Sequence, residues 1–113
     1  MRTDRTAHDV PVVVAARRTP LATRGRALAA LTVEQLAVPV VRAVHEDATT
    51  LLGAAPEVAD VVLGNCMGPG GNPARVAALG SGLGTAVPGL TVDRQCGNGL
   101  AAVVEAAIAI SAG

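Results

Sequence analysis

The chain has 113 residues, of which half are hydrophobic, and its nine basic residues balance nine acidic ones to a net charge of zero. It contains no Phe, Tyr, Trp or Lys, so all nine cations are arginine. These absences exclude Schiff-base and lysine-anchored pyridoxal phosphate chemistry, a phosphate loop of the Gly-Lys-Ser/Thr kind, and an aromatic stacking platform with a basic stripe for nucleic acid. Only 16% of residues are charged, which argues for a chain with apolar surface to bury rather than for disorder. Alanine, valine and leucine make up most of that surface at 23, 17 and 11 residues. Such small side chains gain little each at about 25 cal/mol per Å² buried, and the length sets one domain as the limit. A part of something larger is the expectation.

Met1 to Asp9 is polar and unpatterned and reads as a mobile tail, leaving residues 10–113 as the domain. Val10 to Ala16 is a continuous β-branched run, the pattern of a strand covered on both faces. Pro11 within it and Arg17-Arg18 at its end argue against a secretory signal. Arg17 to Ala30 reads as a loop marked by Pro20 and Gly25. Thr32 followed by Gln35 forms a capping box, and Leu36, Val40, Val41 and Val44 continue at helical spacing, with Pro39 expected to kink the helix or distort its first turn. Gly53 to Pro56 ends it, and Asp60 to Asn65 reads as a second buried strand.

A glycine-rich loop, Met67 to Gly71, leads to Asn72-Pro73, with Asn as cap and Pro in the first helical turn. This helix carries Arg75, Val76 and Leu79 as far as Gly80. Thr91 to Arg94 reads as a third strand, and Gly97 to Ala112 as an apolar helix buried nearly all round, because the face opposite Leu100, Val103, Val104 and Ile108 is largely alanine. Leu100 to Ile110 is too short to span a bilayer and holds Glu105. Alternating strands and helices predict an α/β layer around a mainly parallel, three-stranded sheet with flanking helices.

Cys66 and Cys96 are too few for a disulfide framework and form no Cys-x-x-Cys pair, so a reducing, cytoplasmic setting is the simplest reading. In Asp93-Arg-Gln-Cys96-Gly-Asn-Gly99 a cysteine sits on the turn between a strand and an apolar helix. That pattern fits a nucleophile elbow, in which the helix N-terminus favours thiolate and backbone N–H groups stand ready for an oxyanion. It fits equally a small cysteine packed at a strand-helix junction. Cys66, after a Gly-Asn strand end, reads as a core or interface residue, His45 as a solvated residue at the charged end of a helix, and His8 as part of the tail. Gly68-Pro-Gly-Gly71 and Gly80-Ser-Gly-Leu-Gly84 complete no dinucleotide fingerprint, and Ser81 has leucine at both positions where a serine elbow needs glycine. The histidines and cysteines show no metal-ligand spacing.

The segment TVDRQCGNGLAAVVEAAIAISAG resembles the region around the acylated cysteine of the thiolases, acyl-CoA acyltransferases whose usual pattern there is Asn-Arg-x-Cys-Gly/Ala-Ser-Gly-Leu-Gln-Ala. VVVAARRTPLA, DVVLGNCM and GGNPARVAAL resemble three further family segments, in the same order. Asp93, Asn98 and Ala101 depart from the usual Asn, Ser and Gln. The resemblance implies that Cys96 is the nucleophile, carrying the acyl group as a thioester during thiolysis or Claisen condensation. It also implies coenzyme A thioesters as substrates and no permanently bound cofactor; the sequence assigns no residue to coenzyme A. The family's activating histidine, second cysteine and coenzyme A loop belong to parts the matched segments do not reach, so weak or absent activity of the chain alone is expected. A non-catalytic partner or remnant, associating with itself or with a separately encoded C-terminal half, is the alternative. No nucleic acid or membrane partner is expected.

Overall fold

In a computed structural model the structure describes residues 10–113; the tail assigned to Met1 to Asp9 lies outside them. The elements are α1 (Val33–Leu52), β1 (Val61–Gly64), α2 (Pro73–Gly80), β2 (Gly89–Val92) and α3 (Asn98–Ala112). Each helix begins where the local chemistry satisfies its orphan amides. Thr32 Oγ1 accepts from the Gln35 N–H while Gln35 Oε1 accepts from the Thr32 N–H, a reciprocal capping box at 3.2 and 2.8 Å. α1 then runs on through Pro39 and stops at Gly53, whose φ of 75° is the left-handed C-cap conformation.

β1 and β2 pair in parallel, with Val61 opposite Gly89 and Gly64 opposite Val92. α2 is the crossover between them. Both α2 and α3 pack on both strands but not on each other, so they cover opposite faces of the sheet, and α1 packs outside α2 without touching the strands or α3. The junction of α2 with β2 is close enough that a Cβ at Gly89 would collide with the Arg75 backbone nitrogen. Polar bonds hold it there. Asn72 caps α2 by accepting from the Arg75 N–H at 3.1 Å, accepts from the Thr91 hydroxyl at 2.7 Å and donates to Gly89 O at 2.7 Å. The Arg75 guanidinium donates to Thr85 O at 2.8 Å and to Val87 O.

The core is small. Ala74, Ala77 and Ala78 are fully buried, and Val61, Ala78 and Val87 form its centre with Val41, Val58, Leu63 and Leu83 around them. Among the described residues no larger side chain is fully buried. The radius of gyration, 15.3 Å, exceeds the roughly 13 Å expected for a compact chain of this size.

Three expectations require correction. The sheet has two strands among the described residues rather than three. Val10 to Ala16 is not a strand: it has strand-forming side chains but no backbone partner among the described residues, and Val12 and Val13 are 73% and 82% exposed. Strand character needs a ladder as well as β-branched residues. Arg17, the next residue, donates through Nε and Nη2 to Asp47 Oδ2 and Oδ1 at 2.5 and 3.0 Å. That bond draws the Asp47 carboxyl below its ordinary range and raises the guanidinium. The third expected strand, Thr91 to Arg94, is β2, two residues earlier in the chain at Gly89–Val92. Finally, α3 is not buried nearly all round. Ala101 and Ala102 face the sheet, while Leu100, Val103 and Ile108 are 72%, 61% and 57% exposed.

Candidate active site

In an open α/β sheet the crevice beyond the carboxyl ends of the strands is where ligands bind. Both cysteines lie at that edge: Cys66 follows β1 by two residues and Cys96 follows β2 by four. Both are free thiols, Cys66 half-buried and Cys96 exposed. The ladder continues one residue past β1, where the Asn65 N–H donates to Val92 O at 2.9 Å.

The turn carrying Cys96 is compact. The Gly97 N–H donates to Arg94 O at 3.0 Å, and the Asn98 N–H donates to Gln95 O at 3.1 Å. Gln95 has φ of 50°, the one non-glycine residue with positive φ among the described residues. Its N–H donates to Asp93 Oδ1 at 2.9 Å. α3 starts immediately afterwards, with Gly97 as its N-cap and no capping side chain. The first four N–H groups of any helix lack intrahelical acceptors. Here those of Gly99 and Leu100, like that of Cys96, have no hydrogen-bond partner among the described residues. The exposed Cys96 therefore directly precedes a helix start whose backbone donors no described residue uses, an arrangement able to hold negative charge.

Gly64 lets α3 approach. A Cβ there would lie 2.5 Å from Asn98 Oδ1 and 2.6 Å from the Asn98 carbonyl carbon. The asparagine at a position where serine is usual in the resemblance thus fills the space over the end of β1. Asn65 organises the following loop, accepting from the Gly68 N–H at 3.1 Å and donating to Pro69 O at 3.0 Å. The glycine-rich loop is closed on its own asparagine.

Among the described residues no histidine joins Cys96. His45 is half-buried on α1, which is in a different layer from α3, and His8 lies outside the described residues. Ser81 is buried, its hydroxyl donating to Ala77 O at 2.6 Å and reaching Val38 O at 3.3 Å. No group of three or more His, Cys, Asp or Glu gathers among the described residues. Gln95 to Ala112 has the length and hydropathy of a membrane span, yet its helical part contains Glu105 and packs Ala101 and Ala102 on the sheet. Sequence reasoning placed Cys96 at the strand-helix turn but missed two features of it, the left-handed Gln95 and the contact of Asn98 with Gly64.

Comparison with known proteins agrees with this architecture. The family profile described as thiolase, N-terminal domain, matches residues 11–113. A protein named as a candidate acetyl-CoA C-acetyltransferase, VraB of Staphylococcus aureus, is 44% identical over 102 residues, covering 90% of this chain and 26% of that protein. A similarly named Bacillus subtilis protein, YhfS, is 42% identical over the same length. The crystal structure of the Bacillus anthracis acetyl-CoA acetyltransferase superposes with a TM-score of 0.75 at 42% identity, covering 88% of this chain and 25% of that one. The chain spans about a quarter of the length of these relatives.

Proposed function

The chain belongs to the thiolase family, matching its N-terminal domain, and from that premise we propose that residues 10–113 are the nucleophile-bearing part of an acyl-CoA acyltransferase in which Cys96 accepts the acyl group. The observation that carries the reading is the free, exposed thiol of Cys96 on the turn from β2 into α3, next in the chain to backbone donors without a partner among the described residues. In the proposed step the Cys96 sulfur attacks either the thioester carbonyl of an acyl-CoA or the 3-keto carbonyl of a 3-ketoacyl-CoA. The carbonyl oxygen takes the negative charge and the N-terminal amides of α3 hold it. Collapse of that intermediate breaks the bond to the leaving group, either coenzyme A thiolate or the enolate of a shorter acyl-CoA, and leaves an acyl thioester on Cys96. A coenzyme A thiol or an acyl-CoA enolate then removes the acyl group, in thiolysis or Claisen condensation respectively.

A base is needed to prepare the Cys96 thiol, and neither His45 nor any other described imidazole lies in its layer. The 113-residue chain by itself is therefore expected to turn over very slowly or not at all. The experiment is a thiolysis assay with acetoacetyl-CoA and free coenzyme A; turnover at an ordinary enzymatic rate, on the order of 1 to 1,000 per second, would contradict it. A second reading, a non-catalytic partner that associates with another chain, is favoured by one observation: the exposed apolar face of α3 at Leu100, Val103 and Ile108. Gel filtration distinguishes it, because a monomer with a cooperative melt counts against association.

A further inference from the structure

Asp93 and Gln95 stand two residues apart on the turn before Cys96, and the backbone at Gln95 is unlike that of any other non-glycine residue among the described residues. Gln95 is held at φ of 50°, a conformation in which an L side chain crowds its own backbone and which glycine adopts freely. Glutamine has no short polar group of its own to offset that crowding in the left-handed region, as asparagine or aspartate would. A neighbour supplies the compensation: the Gln95 N–H donates to Asp93 Oδ1 at 2.9 Å, an Asx-type turn in which a side-chain oxygen takes the place of a backbone acceptor. Two backbone bonds complete the turn around the cysteine, Gly97 N–H to Arg94 O and Asn98 N–H to Gln95 O. The second of these ties Gln95 to the first residue of α3, so the backbone angle at Gln95 sets the direction in which the chain enters the helix. Cys96 lies between these two ties.

From this we propose that Asp93 is a positioning residue for the nucleophile: its side-chain oxygen holds Gln95 in the left-handed conformation, which aims Cys96 at the N-terminal amides of α3. The inference rests on the reading of Cys96 as the nucleophile. What Asp93 contributes is a hydrogen-bond acceptor, and its charge is not required. That explains how a chain of this family tolerates aspartate where the resemblance expects asparagine, because both carry an acceptor oxygen at the same place. It also makes the role of Asp93 conditional on Gln95: a glycine at 95 would adopt the same angle without help.

The test is the rate of alkylation of Cys96 by iodoacetamide in the 113-residue chain, with Cys66 as internal reference. Trypsin cleavage after Arg75 and Arg94 puts the two thiols in separate peptides, which mass spectrometry quantifies independently. Asp93→Ala is expected to slow Cys96 about fivefold relative to Cys66, as the left-handed turn loses its compensation. Asp93→Asn is expected to retain the rate within about twofold, because the acceptor oxygen remains. The double variant Asp93→Ala with Gln95→Gly is expected to recover to within about twofold of the parent, since glycine needs no compensation. An unchanged Cys96 rate in Asp93→Ala overturns the proposal, as does an Asp93→Asn variant as slow as Asp93→Ala. If Asp93→Ala fails to fold, recovery of a folded chain with the parent rate on adding Gln95→Gly supports the proposal, and no recovery overturns it. Alkylation needs no acyl-CoA, so failure of acyl transfer to Cys96 leaves this result readable by itself.

Discussion

Gly64 is where the sheet and the candidate site meet, and Gly64→Ala perturbs both at one point. The added methyl carbon would lie 2.6 Å from the Asn98 carbonyl carbon and 2.5 Å from Asn98 Oδ1, about 1 Å inside the ordinary 3.5 to 4.0 Å separation of non-bonded heavy atoms. The side-chain oxygen could rotate away. The carbonyl carbon is backbone in the first turn of α3 and moves only if that turn moves. Overpacking of this kind costs about 1 to 3 kcal/mol, and backbone involvement puts Gly64→Ala near 2 kcal/mol. At roughly 5 °C per kcal/mol for a chain of this size, the melting temperature should fall by about 10 °C. The assay is thermal unfolding followed by far-ultraviolet circular dichroism, with Gly70→Ala as control. No atom lies within 4 Å of a Cβ at Gly70 and its φ is not positive, so the control should stay within about 0.5 kcal/mol of the parent. Equal melting of the two variants would refute the close approach of α3 to β1 and, with it, the placement of Cys96 beyond the sheet edge.

Asn72→Ala removes the α2 cap, the acceptor to which the Thr91 hydroxyl donates and the donor to Gly89 O; urea unfolding should show a loss of about 2 kcal/mol, more than a simple cap at ~1 kcal/mol. Gly99→Ala lies in the first turn of α3 with no atom within 4 Å of the new Cβ and should stabilise the chain by about 0.5 kcal/mol in the same measurement. Asp47→Asn breaks the exposed pair with Arg17. Because the folded-state carboxyl is drawn below its ordinary value of 3.8 by the Arg17 hydrogen bond, the pair stabilises the fold above that pH and loses the contribution as the pH falls through the lowered value. The urea midpoint of Asp47→Asn should therefore sit slightly below the parent at pH 7, with the difference closing in acid; a difference that widens in acid would be the wrong sign.

The elements legible in the sequence are those whose signal is local. Thr32 with Gln35 and Asn72 with Pro73 carry their own capping chemistry, and both helices begin there. The strand at Val61–Gly64 is a β-branched run ending in glycine, and it pairs as expected. Where partners decide, the sequence was silent. Val10 to Ala16 has the composition of a strand, but a strand exists only by pairing, and none of the described residues pairs with it. The alanine face of α3 suggested burial on all sides, whereas only Ala101 and Ala102 of that helix are buried. Alanine packs well in a helix core and also costs little in solvent, so it cannot tell the two apart. At the site, Cys96 was legible from the strand, cysteine, glycine, helix order. The left-handed Gln95 was not, because glutamine has no bias toward that conformation; the available signal was Asp93 two residues earlier, a residue suited to an Asx turn.

The central claim is that Cys96 is the acyl acceptor. The direct measurement is mass spectrometry of the chain after incubation with excess acetyl-CoA, with the tryptic peptides carrying Cys66 and Cys96 read separately. The account predicts a hydroxylamine-labile acetyl thioester on Cys96, formed faster than on a cysteine in an unstructured peptide, with Cys66 labelled less. Acetyl on Cys66 alone, or Cys96 labelled no faster than the unstructured peptide, would contradict it.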